Sequence, residues 1–424
     1  MQFAPTLAWA LFTTLLVTAS SARADPVTDA TERVTGEPEA GEPRLVEDAG
    51  ALAEAPPRPK LEVAFAGGIA LSAAFVDWDR TTASGARDGD LRFSVLRLGA
   101  RARYGMLRLD FEYRIYPLYQ FLRHAVIGAE LSDRLTVDLG VSRAPFGLLP
   151  YASNSWFFGL PYYVGMEDDA DFGLRVHYRP AAWDLWLAFY KNSEGHYFGR
   201  SLDSARFSYD AVQATATELA GSGITGARND REINTFVGRV AHTWSGGQMS
   251  AELGASGRVG MLQDLVSDEH SVHWAVAPHA RVAYGLLELQ LETISYRFEP
   301  HAGVGDDPRL VAMGAFDAPY AVASRGHLLV VNLGYGHEVA WGPIELVRVY
   351  VDSGQLWKSA DDFHTSRQLV LGSYLLAGPV HLSVDYALGQ HHPWIGAHYG
   401  AALGEGAPSA RWQRWVNVNV GFAY

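Results

Sequence analysis

Residues 412–424 read Trp412-Gln413-Arg414-Trp415-Val416-Asn417-Val418-Asn419-Val420-Gly421-Phe422-Ala423-Tyr424. Counted back from Tyr424, the even positions are Phe422, Val420, Val418 and Val416, and the odd ones are Ala423, Gly421, Asn419 and Asn417. One face is apolar and the other small or polar, which is the period of a β-strand. In a soluble sandwich the apolar face would meet a core. In a membrane barrel it meets lipid, and the polar face meets a wet lumen.

The same alternation recurs upstream. Leu107, Leu109, Phe111, Tyr113 and Ile115 interleave with Arg108, Asp110, Glu112 and Arg114. Phe172, Leu174, Val176 and Tyr178 interleave with Asp171, Gly173, Arg175, His177 and Arg179, and Val380–Leu388 alternates with His381, Ser383 and Asp385. The second face is too charged for a sandwich interior. Strands are predicted over 61–77, 91–104, 106–117, 119–131, 134–143, 171–180, 182–192, 231–244, 248–260, 271–284, 286–298, 325–337, 341–353, 364–376, 379–389 and 411–424. That is an all-β chain of about sixteen strands, with 14 or 18 as neighbouring counts.

The connections strengthen this reading. After the even-numbered strands come tight turns: Gly105, Ser132-Asp133, Ala181, Ser245-Gly246-Gly247, Gly285 and Ala377-Gly378. After the odd-numbered ones come mostly long loops, 78–90, 144–170, 193–230, 261–270, 299–324, 354–363 and 390–410, and only the third connection is short. Short turns on one side and long loops on the other characterise outer-membrane barrels. An even strand count leaves both ends of the barrel on the short-turn, periplasmic side.

Residues 1–24 are expected to be a signal peptide: Leu7 to Ala19 is apolar and uncharged, and Ala22 and Ala24 form an A-x-A cleavage site before Asp25. The run is too short for a membrane-spanning helix. Residues 25–60 hold nine acids, four bases, six prolines and no aromatic residue. Such a segment buries too little apolar surface to offset its ordering entropy, and it is expected to be a disordered periplasmic tail. The barrel domain is then 61–424. The chain has no cysteine, which excludes a disulfide framework. Loss of Arg23 with the signal peptide leaves 33 basic and 47 acidic residues, so a nucleic-acid partner is not expected. Only Lys60, Lys191 and Lys358 are lysines; the remaining positive charge is arginine. No apolar run after residue 24 reaches 18 residues, so the membrane candidate is a barrel.

With Leu96, Leu98 and Ala100 facing lipid, Arg97, Arg101 and Arg103 point inward. Arg108, Arg114, Arg175 and Arg179 join them, with Asp110, Glu112, Asp138 and Asp171 on the same wall. Opposed arginines and carboxylates set up a transverse field across a pore; alternatively they only pair and keep the lumen wet. Loop 144–170 contains Pro145, Phe146, Gly147, Tyr151, Trp156, Phe157, Phe158, Tyr162 and Tyr163, then Glu167, Asp168 and Asp169. It is too apolar to be solvated and is expected to fold into the barrel mouth as a constriction.

The entry to that loop, Leu139-Gly140-Val141-Ser142-Arg143-Ala144-Pro145-Phe146-Gly147, resembles the signature of the phosphate-selective porin O and P family. The stretch from Tyr162 to Gly173 is similar to one in porin-like relatives whose solute is undefined. The resemblance covers about 61–424 in architecture and is motif-specific over about 134–180. It implies a sixteen-stranded barrel, often trimeric, with an inward-folded loop and lumenal arginines. The scarcity of lysine departs from the phosphate-selective members. The aromatic end, Phe422 and Tyr424, is similar to the signal by which the barrel assembly machinery recognises its clients.

The carboxylates at 167–171 lack the D-x-D-x-D-G spacing of a calcium loop, and no metal or cofactor is expected. His270, His273, His391 and His392 are expected to be solvated loop residues. Ser142, His177 and Asp171 are unframed by G-x-S-x-G, so no catalytic residues and no enzyme are expected. The expected function is a porin in the outer membrane of a Gram-negative bacterium, in contact with lipid, passing small polar or charged solutes by diffusion. The alternative is a specific channel that binds sugars or organic anions, phosphate included, at loop aromatics and lumenal arginines.

Overall fold

The computed structural model describes residues 59–78, 89–155, 159–303 and 306–424. The expected signal peptide, nearly all of the acidic tail, and Trp156 and Phe157 lie outside the described residues. Within them are nineteen strands and one short helix. In chain order the strands are β1 (Leu61–Val76), β2 (Asp90–Tyr104), β3 (Leu107–Ile115), β4 (Gln120–Ser132), β5 (Leu135–Arg143), β6 (Ala170–Tyr178) and β7 (Trp183–Ser193). Next come β8 (Asp210–Ala211), β9 (Asp230–Gly246), β10 (Met249–Asp264), β11 (His270–Tyr284), β12 (Leu287–Phe298), β13 (Leu310–Ala315) and β14 (Ala318–Ala323). The last are β15 (Arg325–Trp341), β16 (Ile344–Lys358), β17 (Ser366–Ala377), β18 (Val380–Gln390) and β19 (Gln413–Ala423). The helix is α1 (Leu160–Tyr163).

Sixteen of these strands close a single antiparallel barrel in sequence order, with β1 paired to β19. Only β8, β13 and β14 stand outside the wall, as a three-stranded sheet built from two loops. All sixteen expected strands are present. The boundaries differ most on β10, β15 and β16, which run on to Asp264, Trp341 and Lys358, so the expected loop at 261–270 shrinks to a turn. Five of the seven connections at the opposite end are two-residue hairpins opened by glycine: Gly105, Gly247, Gly285, Gly342 and Gly378 have φ between +54° and +60°. A Cβ is disfavoured there, and the primed turns that fit strand twist demand this geometry.

Register settles which face is which. Val416, Val420 and Phe422 are exposed, whereas Asn417, Asn419 and Gly421 between them are buried. The exposed set is apolar around the ring, with Phe65 at 78%, Leu187 at 64% and Ile127 at 65%. In water each such side chain would forgo about 1.5–3 kcal/mol of burial; against lipid it forgoes nothing. Tyr104, Tyr178, Trp183, Trp244, Tyr284 and Trp341 mark the outward rim at the hairpin end. Phe75, Phe172, Trp274, Trp357 and Trp412 mark it at the loop end. Two aromatic girdles around an apolar band are the signature of a membrane-spanning barrel.

The inner face is not polar throughout. In the loop-side half, Tyr190, Val237, Leu262, Ile294, Phe298, Leu328 and Leu356 point inward and are buried against Tyr162, Tyr163, Tyr209, Met313 and Tyr320. The apolar core of this protein therefore sits inside the barrel, where four loops pack as a plug. The reading of a wet second face holds toward the hairpin end and gives way to packing toward the loops.

Candidate functional site

The segment after β5 turns into the barrel. Ala144 N–H donates to the Asp169 carbonyl at 2.7 Å, closing the neck of the loop. Gly147 takes φ +67°, and a Cβ there would lie 2.5 Å from Glu292 Oε1, so only glycine fits. From this bend the backbone runs along the wall as a strap. Gly147 N–H donates to Ser256 Oγ at 2.8 Å and its carbonyl accepts from Arg239 Nε at 2.9 Å. Leu148 N–H donates to Glu292 Oε2 at 2.7 Å, and the Leu149 carbonyl accepts from Arg281 at 3.0 Å. The Ala152 carbonyl accepts from Asn332 Nδ2 at 2.7 Å. Asn154 and Ser155 N–H both donate to Asp352 Oδ2 at 2.7 Å. The anchors belong to β9, β10, β11, β12, β15 and β16. In the ring, β16 stands eight strands from β5 in either direction. The strap thus follows the wall round to the strand opposite β5, and buried wall side chains satisfy its backbone groups, as a loop inside a membrane protein requires.

The chain then returns through α1 into the plug. The Tyr163 carbonyl accepts from Tyr320 Oη at 2.6 Å, and the Gly165 carbonyl from Arg258 at 2.8 Å. Tyr162 and Tyr163 lie edge-on to each other and against Tyr209, both buried. Their faces are used by packing.

Across from the strap, four arginines gather on β2–β5. Asp168 pairs with Arg123 and, at 2.5 Å, with Arg143. Glu112 pairs with Arg114 at 2.6 Å and lies 4.0 Å from Arg97. The Arg143 guanidinium sits 5.7 Å from the Tyr151 ring centroid. Tyr151 projects from the strap to within Coulombic reach of Asp168, Arg143, Arg123 and Arg114. It is 6% exposed, and burial, reinforced by Asp168, pushes its hydroxyl above the usual tyrosine range. Strap and wall therefore close on each other here, with four guanidiniums against two carboxylates.

Toward the hairpin end the charges spread out. Arg101 pairs with Asp110 at 3.3 Å and Arg103 with Glu130. Asp138, buried, holds both Arg108 and, at 2.9 Å, Arg175. The exposed pairs of Arg101 and Arg103 contribute about 0–1 kcal/mol each to stability, so their effect lies in the field they create. Arg179 falls after β6 and its N–H bonds to the Arg134 carbonyl, which places it on the hairpin rim. Pro180 follows it and has no N–H to donate, so the ladder goes no further.

Asp169 and Asp171 lie apart from this wall, on the plug side. Arg258 bridges Asp169 and Glu232 at 2.9 and 2.6 Å. Burial raises Asp169 to about 7, with Arg258 opposing and Glu232 and Glu194 adding to it. Glu167 is pushed well above the carboxylate range by burial and by Glu292.

Several wall residues that hold the strap, Arg239, Glu292, Asn332 and Asp352, were not singled out in the sequence. Their parity on the strands marks them as inward, but nothing local says that a loop reaches them. His270 is exposed, as expected, but the other three histidines need correction. His273 is fully buried beside Thr235 and Glu232, His392 packs against Tyr163, and His391 is buried against His364. His177 pairs with Asp184 and stacks on Trp186, while Ser142 lies 3.5 Å from Tyr190 Oη.

No family model matches the sequence, and no curated protein matches it. Solved structures do resemble the fold. The outer membrane channel DcaP of Acinetobacter baumannii aligns with TM-score 0.52 at 11% identity, over 86% of this chain and 97% of that one. The anion-selective porin from Comamonas acidovorans aligns with TM-score 0.51 at 14% identity, over 86% and 100%. OmpT of Vibrio cholerae aligns with TM-score 0.50 at 10% identity, over 86% and 98%. At these identities the likeness is of fold: a closed sixteen-stranded barrel of the outer-membrane porin type. The resemblance to the phosphate-selective porin O and P family rests on the residues quoted for it.

Proposed function

We propose that this protein is a porin of the Gram-negative outer membrane, a passive channel for small polar or charged solutes whose narrowest level lies between the strap and the β2–β5 wall. The observation that carries this reading is the strap itself, fixed from Gly147 to Asp352 along six neighbouring strands inside an apolar-belted barrel. A segment held at six wall strands inside a barrel sets the size of whatever passes. The half-exposed ion pairs below it supply a wet, polar approach. Planar-bilayer recording tests the reading: the purified protein should give discrete conductance steps, and a bilayer that stays silent at any protein dose would overturn it.

A second reading has support from one feature. Arg97, Arg114, Arg123 and Arg143 outnumber Glu112 and Asp168 at the narrow level, so the channel favours small anions there although the chain as a whole is acidic. One structural neighbour is itself described as anion-selective. Sugar stacking on Tyr162 and Tyr163 has no such support, since both rings are packed away. Block of the current by a small organic anion or by phosphate at low concentration would mark a specific channel; block only at concentrations comparable to the salt would mark general diffusion.

A further inference from the structure

Asp169 lies on the return leg just before β6, Asp171 lies on β6 and Asp210 on β8 of the plug sheet. One carboxylate oxygen from each lies within 4.8 Å of the others. The three residues are 2%, 2% and 0% exposed. Their outer oxygens are engaged: Asp169 Oδ2 accepts from Arg258 at 2.9 Å and Asp210 Oδ2 from Arg206 at 2.9 Å. Their other oxygens are not. Asp169 Oδ1, Asp171 Oδ1 and Asp210 Oδ1 are buried with no hydrogen-bond partner, and so is Glu194 Oε2. Glu194 uses its first oxygen for the Phe207 and Ser208 N–H groups and the Ser208 hydroxyl. Within Coulombic reach of one another are the carboxylates of Asp169, Asp171, Asp210, Glu194 and Glu232 and the guanidiniums of Arg206 and Arg258. Five carboxyl groups thus face two guanidiniums, in a place water hardly reaches. Buried polar atoms are nearly always satisfied, and orphaned carboxyl oxygens at this density call for a positive partner.

We propose that Asp169, Asp171 and Asp210 bind one calcium ion, with Glu194 behind them to complete the oxygen shell. All the donors are hard oxygens and no thiolate or imidazole joins them, which favours calcium or magnesium over a transition metal. Hydration decides between those two. Magnesium keeps several of its waters and is held by one or two carboxylates, whereas calcium accepts a shell made mostly of protein oxygens; three carboxylates gathered within 4.8 Å of one another and almost closed to solvent suit calcium. The ion joins the start of β6 in the barrel wall to β8 of the loop sheet, which otherwise meet through the side chains of Ser208 and Glu232. It is a staple for the plug, and it requires no particular solute to pass the channel.

The test is calorimetric titration of Ca2+ into the folded, full-length protein in detergent after removal of divalent ions with EDTA. One site per chain is expected, with affinity at least tenfold weaker in Asp171→Asn and in Asp210→Asn. Both variants keep the side-chain shape, and the heat-modifiable gel shift of barrels reports whether they fold. Asp268→Asn, on the exposed turn after β10, serves as the control and leaves binding unchanged. EDTA should also lower the melting temperature of the parent but not of Asp171→Asn. Absence of saturable binding to the folded parent, or equal affinity in all three variants, would overturn the site. Displacement by equimolar Mg2+ would overturn the assignment to calcium.

Discussion

Asp352 on β16 grips Asn154 at the far end of the strap twice: its Oδ2 accepts the Asn154 N–H and its Oδ1 accepts the Asn154 side-chain amide, each at 2.7 Å. The same carboxylate also accepts the Ser155 N–H. Asn154 in turn accepts from Arg348 on the same strand. Because β16 is the strand diametrically opposite β5, this fork decides whether the segment after β5 reaches the opposite strand or merely enters the barrel.

Asp352→Ala should therefore release the tip of the strap. Two buried backbone N–H groups lose their acceptor, at a cost of about 1–3 kcal/mol each. The variant should insert as the parent does, with a larger or noisier single-channel conductance and a lower temperature for the heat-modifiable gel shift. An unchanged conductance trace would mean that the anchors at Gly147 and Ala152 suffice.

Tyr151→Ala removes the side chain that reaches from the strap to the arginine wall. The variant should raise single-channel conductance more than Tyr162→Phe, because Tyr162 is enclosed in the plug. Equal conductance in the two variants would place the narrow level elsewhere.

Charge selectivity should follow position and not mere inwardness. Arg114→Gln or Arg143→Gln removes one of four guanidiniums at the narrow level, whereas Arg103→Gln removes one from the wide hairpin end, where the side chain is half exposed. Reversal potentials in a salt gradient should shift toward cations for the first two and barely for the third. The contrast should fade at 1 M salt, where charges are screened within about 3 Å. A uniform shift in all three would argue for long-range rather than local control.

Arg239→Met deletes a buried guanidinium that donates to the Gly147 carbonyl and to Glu252, at 2.9 and 2.8 Å. Hydrogen bonds to charged groups contribute about 1.5–3 kcal/mol, so denaturant unfolding of the reconstituted protein should register a loss of that order. Arg101→Met, at an exposed pair, should lose less than about 1 kcal/mol.

Much of the fold was legible in the chain, because a membrane barrel writes itself in local terms. Alternation such as Val416-Asn417-Val418-Asn419 follows from a two-residue pleat between lipid and lumen, and Gly105, Gly285 and Gly378 follow from turns that demand positive φ. Each signal spans a few residues, so no tertiary knowledge is needed to read it. Loop 144–170 could likewise be picked out as a packed segment from its aromatics.

Where that loop goes was decided only in three dimensions. Gly147 and Asp352 are about two hundred positions apart, and no local pattern links a bend after β5 to an aspartate on β16. The plug shows the same limit. Inward Phe298 and Leu356 read as ordinary strand residues until Tyr162 and Tyr320 are seen to fill the space before them. The three carboxylates show it most plainly: Asp169 and Asp171 are neighbours in sequence and lack any cation-loop spacing, and Asp210 joins them only because β8 is carried into the barrel by the loop sheet. Pattern along a strand reports which way a side chain points; what it meets depends on closure of the ring and on which loops fold inside it.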